Sequence, residues 1–388
     1  MIRNLSVGID IGTAMTRVVV AEFFKDEKIP RVLGTGSSAT KGIRHGYVFK
    51  FDDVVESIKT AVSQAESVSG TKIKKAFISI GGITLSSETA LGTAIISKAD
   101  NEVTSLDVSK AIKESEVNLT LGNKKIIHAF PISYRLDEKE VLGRPEGLHG
   151  IKLEVKMLFV TSLNQHIEDI VLAVTEAGIE PIDIVASPIA ASQIAINERQ
   201  KIVGCALVNI GAETVSIVVF ENGMPMSLHV FSIGSSDITN DIALGLKIPL
   251  EEAESLKINS DYGTYSKKKL DEIIEARLTD IFELIENHLK RIKRNGLLPA
   301  GIIFTGGGSA IPMLENLSKE TLNLPSKVGN SEIFGATKTK VRDSSWFVAF
   351  GLCMSSKNPL MYGKSDNIPA FMKDIKNGVR SMFKQLLP

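Results

Sequence analysis

The chain has 388 residues, and its 45 basic and 45 acidic side chains cancel to zero formal charge. That length supports two domains with cores of their own, and the balanced charge removes any global field for gathering nucleic acid or an acidic substrate, so no nucleic-acid partner is expected. Cys205 and Cys353 lie in separate apolar stretches without C-x-x-C spacing, which suits buried thiols in a reducing compartment better than a disulfide or a zinc site. The opening "MIRN" leads directly into a strand pattern, and no apolar run approaches the roughly 20 residues that span a bilayer. A cytoplasmic protein is expected.

In chain order, "LSVGIDIGTAMTRVVVAEFF" (5–24) reads as a strand, a small-residue turn and a second strand rich in Val. "FDDVVESIKTAVSQAESV" (51–68) has apolar residues at helical spacing, and "AFISIGG" (76–82) is a strand running into glycines. Residues 83 to about 160 have no counterpart later in the chain and read as an inserted subdomain, with a helix near 104–116 and a strand pair near 126–136 and 151–160. "GCALVNIGAETVSIVVFENG" (204–223) then repeats the design of the opening, with Asn209 in the place of Asp10 and Gly211 in that of Gly12. An amphipathic helix is expected over 270–294, its Lys and Arg residues at the end the dipole favours. "GIIFTGGG" (301–308) is a second strand running into glycines. Two matched pairs in the same order imply an internal duplication, two copies of one αβ unit facing a shared cleft.

A hairpin of this shape is how a chain folds around a nucleotide phosphate, because glycine lets the backbone approach and amides at the turn donate to oxygens. In the first copy Asp10 can hold Mg²⁺ through water and Thr13 can add a hydroxyl donor. The second copy departs from a Mg-ATP turn. Asn209 replaces the carboxylate expected there, and Asn can neither accept a proton well nor orient an attacking water. Glu213 adds a carboxylate that would cost roughly 3 kcal/mol per unit charge if it pointed about 5 Å from a γ-phosphate at an effective dielectric near 20. The grip is kept and the chemistry weakened.

Taken together, "VGIDIGTAMTRVVV", "TKGIRHGYVFKFDDVVESIKTAVSQAE", "ISIGG", "GLHGIKLEV", "SIGSSDITNDIALGLKIPLEEAESLK", "EIIEARLTDIFELI" and "IIFTGGGSAIPMLENL" resemble the actin, Hsp70 and sugar-kinase superfamily and, more narrowly, the FtsA family of division proteins. The resemblance implies an α/β fold: actin-like duplicated ribonuclease-H-type domains, an inserted 1C subdomain and a C-terminal amphipathic helix. It places subdomain 1A at 1–82 and 161–200 with 345–357, 1C at 83–160, 2A at 201–235 and 300–344, 2B at 236–299, and a linker at 358–370. It further implies bound ATP with Mg²⁺ at Asp10. The phosphate contacts would be Asp10, Gly12, Thr13, Ala14, Asn209, Gly211, Ala212 and Gly234, with Arg17 standing in for the Lys that relatives often carry at Met15. The nucleoside would meet Glu254, Lys257, Gly306, Gly307 and Gly308, the glycines ending a strand and opening a helix.

By the same resemblance, Lys267, Lys268, Lys269 and Arg277 would engage the C-terminal peptide of FtsZ, filaments would form by self-association, and 1C would meet other division proteins. The tail "FMKDIKNGVRSMFKQLL" (371–387) has its own physics. At about 100° per residue, Phe371, Met372, Ile375, Val379, Met382, Phe383, Leu386 and Leu387 fall in one apolar arc, with Lys373, Lys376, Arg380 and Lys384 along one border. That pattern fits a helix lying on anionic membrane lipids at the cytoplasmic face of the cell membrane. A PilM-like pilus assembly ATPase and a small-molecule kinase of the same superfamily are the competing expectations.

Overall fold

The computed structural model describes residues 4–24, 29–258, 265–330 and 340–356. The 371–387 helix expected from the sequence, and the linker before it, lie outside the described residues. The first half runs β1 (Leu5–Ile11), β2 (Met15–Glu22), β3 (Arg31–Ala39), the short pair β4 (Ile43–Arg44) and β5 (Tyr47–Val48), α1 (Phe51–Ser69) and β6 (Lys75–Ile80). The insertion supplies β7 (Ser86–Ile95), α2 (Ser105–Val117), β8 (Lys124–Leu136), β9 (Lys139–Val141) and β10 (Lys152–Leu163). The first half resumes with α3 (Asn164–Glu176), β11 (Glu180–Ala186), α4 (Ser187–Ala195) and α5 (Glu198–Val203). The second half is β12 (Cys205–Ile210), β13 (Val215–Glu221), β14 (Met224–Phe231), α6 (Ser235–Leu246), α7 (Leu250–Ile258), α8 (Lys267–Arg291), β15 (Ile302–Thr305), α9 (Leu314–Leu322) and β16 (Ser326–Val328), and α10 (Phe347–Met354) follows.

The duplication is visible in strand order. One sheet runs β3-β2-β1-β6-β11 and the other β14-β13-β12-β15-β16, with antiparallel pairing up to the first strand of each half and parallel pairing beyond it. Gly12 N–H donates to Met15 O at 3.2 Å and Gly211 N–H to Thr214 O at 2.8 Å, so the two strand-linking turns are closed by the same bond. Alternation along β12 sends Cys205 and Leu207 into the core of the first half and Ala206, Val208 and Ile210 into that of the second. α10 brings the chain back to the first half, wedged so closely that a Cβ on Gly8 would lie 2.2 Å from Ala349 O and one on Gly351 1.9 Å from Ala190 O.

The insertion is a four-stranded sheet, β7-β10-β8-β9, with α2 on one face. It also touches the second half. Ser87 Oγ on β7 donates to Leu228 O on β14 at 2.9 Å and accepts from Leu228 N–H at 2.8 Å. Among the described residues no helix is long and apolar enough to cross a membrane.

Candidate functional site

The ends of β1, β6, β12 and β15 open on one cavity of about 520 Å³ between the halves, the size and position that small-molecule sites take at the carboxyl ends of parallel strands. From the first half it is lined by Asp10, Gly12, Thr13, Ala14 and Arg17, and from the second by Asn209, Gly211, Ala212, Glu254, Lys257 and the three glycines 306–308. Gly234 stands behind this wall. A Cβ there would lie 2.2 Å from Ala212 O, so its glycine lets the start of α6 brace the second turn from outside.

Asp10 and Arg17 are directly paired across β1 and β2, which aims both side chains from one face. Burial pushes the Asp10 carboxyl above its usual range, against the pull of the Ser79 hydroxyl at 2.7 Å and the Arg17 charge. Burial likewise lowers the Arg17 guanidinium, offset by Asp10 and Asp343, and its cation lies 5.6 Å from the centre of the Trp346 ring. Asn209 presents its amide oxygen to Thr305 Oγ1 at 3.5 Å and close against Gly306.

The glycine wall is not the helix start read from the sequence. Gly307–Ala310 form one 3-10 turn and α9 begins only at Leu314, since glycines are poor helix formers and Pro312 interrupts before it. Gly306 has φ +88 and Gly308 is packed on Ile210, whereas a Cβ on Gly307 would meet nothing within 4 Å. Glu254 and Lys257 are paired on the cavity wall, the Glu254 side chain 46% exposed. The Lys257 ammonium is buried and donates to Ser235 O at 3.0 Å, Thr239 Oγ1 at 2.8 Å and Glu254 Oε2 at 2.6 Å.

Several wall residues were not singled out in the sequence, although Ser79 and Ser235 stand inside "ISIGG" and "SIGSSDITNDIA". Ser79, Ser187, Ser235 and His166 are ordinary residues in sequence and reach the cavity only because their elements end there. His166 Nδ1 is 2.7 Å from Thr84 Oγ1, and the ring also bonds to the Gly46 backbone. Burial lowers it to about 4, so the ring is neutral at neutral pH. Glu213, whose direction the sequence left open, points away from the cavity: its Oε2 accepts from the His45 N–H at 2.6 Å. Outside the site, Lys267, Lys268 and Lys269 lie exposed at the start of α8. Arg277 is already engaged, with Nε 2.6 Å and Nη2 3.1 Å from the Asp241 carboxylate and Nη1 3.2 Å from Asp280.

Two family models match the chain: "Cell division protein FtsA" over residues 206–351 and "SHS2 domain inserted in FTSA" over 82–161, together more than half of its length. Cell division protein FtsA of Bacillus subtilis is 29% identical over 371 residues, covering 90% of this chain and 82% of the relative. That of Borreliella burgdorferi is 26% identical, covering 99% and 98%. Among solved structures, a PilM-PilN type IV pilus biogenesis complex aligns with a TM-score of 0.69 at 17% identity, covering 90% of this chain and 97% of its own. MreB5 of Spiroplasma citri bound to AMPPNP aligns with a TM-score of 0.52 at 13% identity, covering 97% and 99%. At such identities the structures speak for the fold, which is actin-like.

Proposed function

The chain belongs to the FtsA family of cell division proteins, and from that premise we propose an ATP-binding, actin-like filament protein that ties an FtsZ ring to the cytoplasmic membrane and hydrolyses ATP slowly or not at all. One observation carries the nucleotide reading. Both matched turns and the bare backbone at Gly307 line a single cavity. Because Gly12 and Gly211 spend their own amides closing the turns, the donors left for phosphate oxygens are the amides of Thr13, Ala14 and Ala212. Gly307 offers a surface without a side chain, against which a flat base can lie.

Mg²⁺ fits at Asp10. Its carboxyl is buried and its charge penalised, a penalty that a divalent cation would relieve, and Ser79 fixes one oxygen. When bound, the cation would neutralise phosphate charge. Arg17 would add a second positive group from the adjacent strand, and the Asn209 amide would donate where a carboxylate would accept. The weak chemistry follows from what the wall lacks. Asn209 is not a base, burial leaves His166 a weak one with its Nδ1 against Thr84 Oγ1, and Glu213 faces His45.

The exposed lysines 267–269 favour an acidic peptide of the FtsZ type on the 2B part of the second half, and the apolar arc with its basic border at 371–387 favours the membrane. Fluorescent-nucleotide titration with and without Mg²⁺, run beside phosphate release, tests the core of this reading. Binding that strengthens with Mg²⁺ and negligible release are expected; turnover like that of an active actin-type ATPase overturns it.

A further inference from the structure

We propose that Glu213 is a latch across the cleft, fastening the second phosphate turn to the 42–46 loop of the first half so that protein atoms alone hold the two turns at one spacing. Glu213 Oε2 takes the His45 N–H at 2.6 Å, while His45 Nδ1 lies 3.2 Å from the Glu213 carbonyl and 3.4 Å from Ser232 Oγ. One residue of the first half thus meets two residues of the second through main chain and ring. The amide-to-carboxylate bond is charge-assisted and about twice as strong as a neutral one.

Both ends of the latch are stiff. His45 has φ +47 and Gly46 φ +91. The missing Cβ of Gly46 would fall 2.4 Å from Gly82 Cα, the Ile83 N–H donates to His45 O at 3.1 Å, and the His166 ring bonds to the Gly46 backbone. Across the cleft, Ser235 N–H donates to Gly211 O at 2.9 Å and Ser236 N–H to Ala212 O at 2.8 Å, which ties the Glu213 turn to α6. The bond therefore joins two bodies rather than two loose loops.

The internal copy shows that the turn itself has no need of this carboxylate. The position equivalent to Glu213 in the first turn is Ala14, and that turn closes in the same way. A side chain that the turn does not require, spent on the opposite half, is a tie between halves. Gly46 and Ala212 line the cavity, so the latch stands on its rim, and a ligand held between the turns departs only when it opens. This release limb rests on the nucleotide reading above; the latch itself does not.

The test is amide hydrogen exchange on the full chain without nucleotide, in the parent, in Glu213→Ala and in Glu213→Gln, followed by dissociation of fluorescent ADP. Removing the acceptor should speed exchange at His45 at least tenfold, with Gln, an uncharged acceptor, in between. The α8 amides of Ile281, Phe282 and Ile285 should keep their protection, which reports an intact fold; if the Ala variant loses it, the Gln variant decides. ADP should leave several-fold faster from Glu213→Ala. Unchanged exchange at His45 overturns the latch, and faster exchange with unchanged ADP release overturns its control of the ligand. If ADP binds to none of the three proteins, the nucleotide reading fails and exchange at His45 alone decides the latch.

Discussion

Gly307 and Gly308 are neighbours with opposite surroundings, and they separate binding from packing. A Cβ on Gly308 would sit 2.3 Å from Ile210 Cγ2, so Gly308→Ala overfills a closed space and should cost about 1–3 kcal/mol in chemical denaturation. Gly307→Ala should leave stability unchanged, because nothing lies within 4 Å, and should weaken nucleotide affinity about tenfold or more. Histidines give a second prediction at this scale. His166 and His288 are both lowered to about 4 from 6.5, mainly by burial, and for His288 also by His229 and Arg291. With folded values below unfolded ones, the unfolded chain binds more protons between these limits. Their contribution is therefore complete above about pH 6.5 and is lost as pH falls toward 4, on the order of 2 kcal/mol per histidine between pH 7 and pH 5. Urea midpoints across that window should fall, and His288→Gln should flatten the decline. The turn glycines and Asp10 were legible in the sequence because backbone approach leaves a compositional mark. Ser79 and His166 were not, since contacts between elements distant in sequence leave none.

At the scale of elements, α8 was read over 270–294 and runs Lys267–Arg291, with Ser266 Oγ accepting the Lys269 N–H at its start. Its periodicity was strong enough to outweigh a boundary error of three residues at each end. β7 escaped the sequence reading: "SSETALGTAI" is small and polar, without the β-branched run that marks a strand, and its place is set by the long register with β10. Arg277 changes meaning once the helices are assembled. It clamps Asp241 on α6 with two bonds, and both side chains are about 30% exposed. Reversing its charge would set a carboxylate beside Asp241 and Asp280, so lost peptide binding in Arg277→Glu would not by itself locate the partner. A double-mutant cycle of Arg277→Ala with Asp241→Ala should show a coupling of about 1 kcal/mol, reduced by salt. Peptide affinity that falls in the Arg277 variant and stays at the parent's in the Asp241 variant would assign the guanidinium to the partner.

For the whole molecule, the duplication was legible because each copy carries the same strand, turn and glycine signals, and the observed strand orders match position for position. The cleft followed from it. The insertion's contact with the second half did not, because no pattern in either segment announces the other. The proposed tether belongs to this scale as well. Full chain should float with anionic liposomes and a chain ending at Ile368 should not, the difference growing under polymerising conditions as many weak helices act together. Equal flotation of the two would remove the tail as anchor.

The bond between Ser87 and Leu228 bears on how the protein stays dispersed. β14 is the outermost strand of its sheet, and such a strand offers N–H and C=O groups to any extended chain that drifts against it. Ser87 occupies both groups of Leu228 with one hydroxyl, and the insertion around it shields that border from intruding strands. A chain cut back to its two duplicated halves would thus bare a sticky selvedge, and its first fault in solution would be unregulated edge-to-edge joining of sheets.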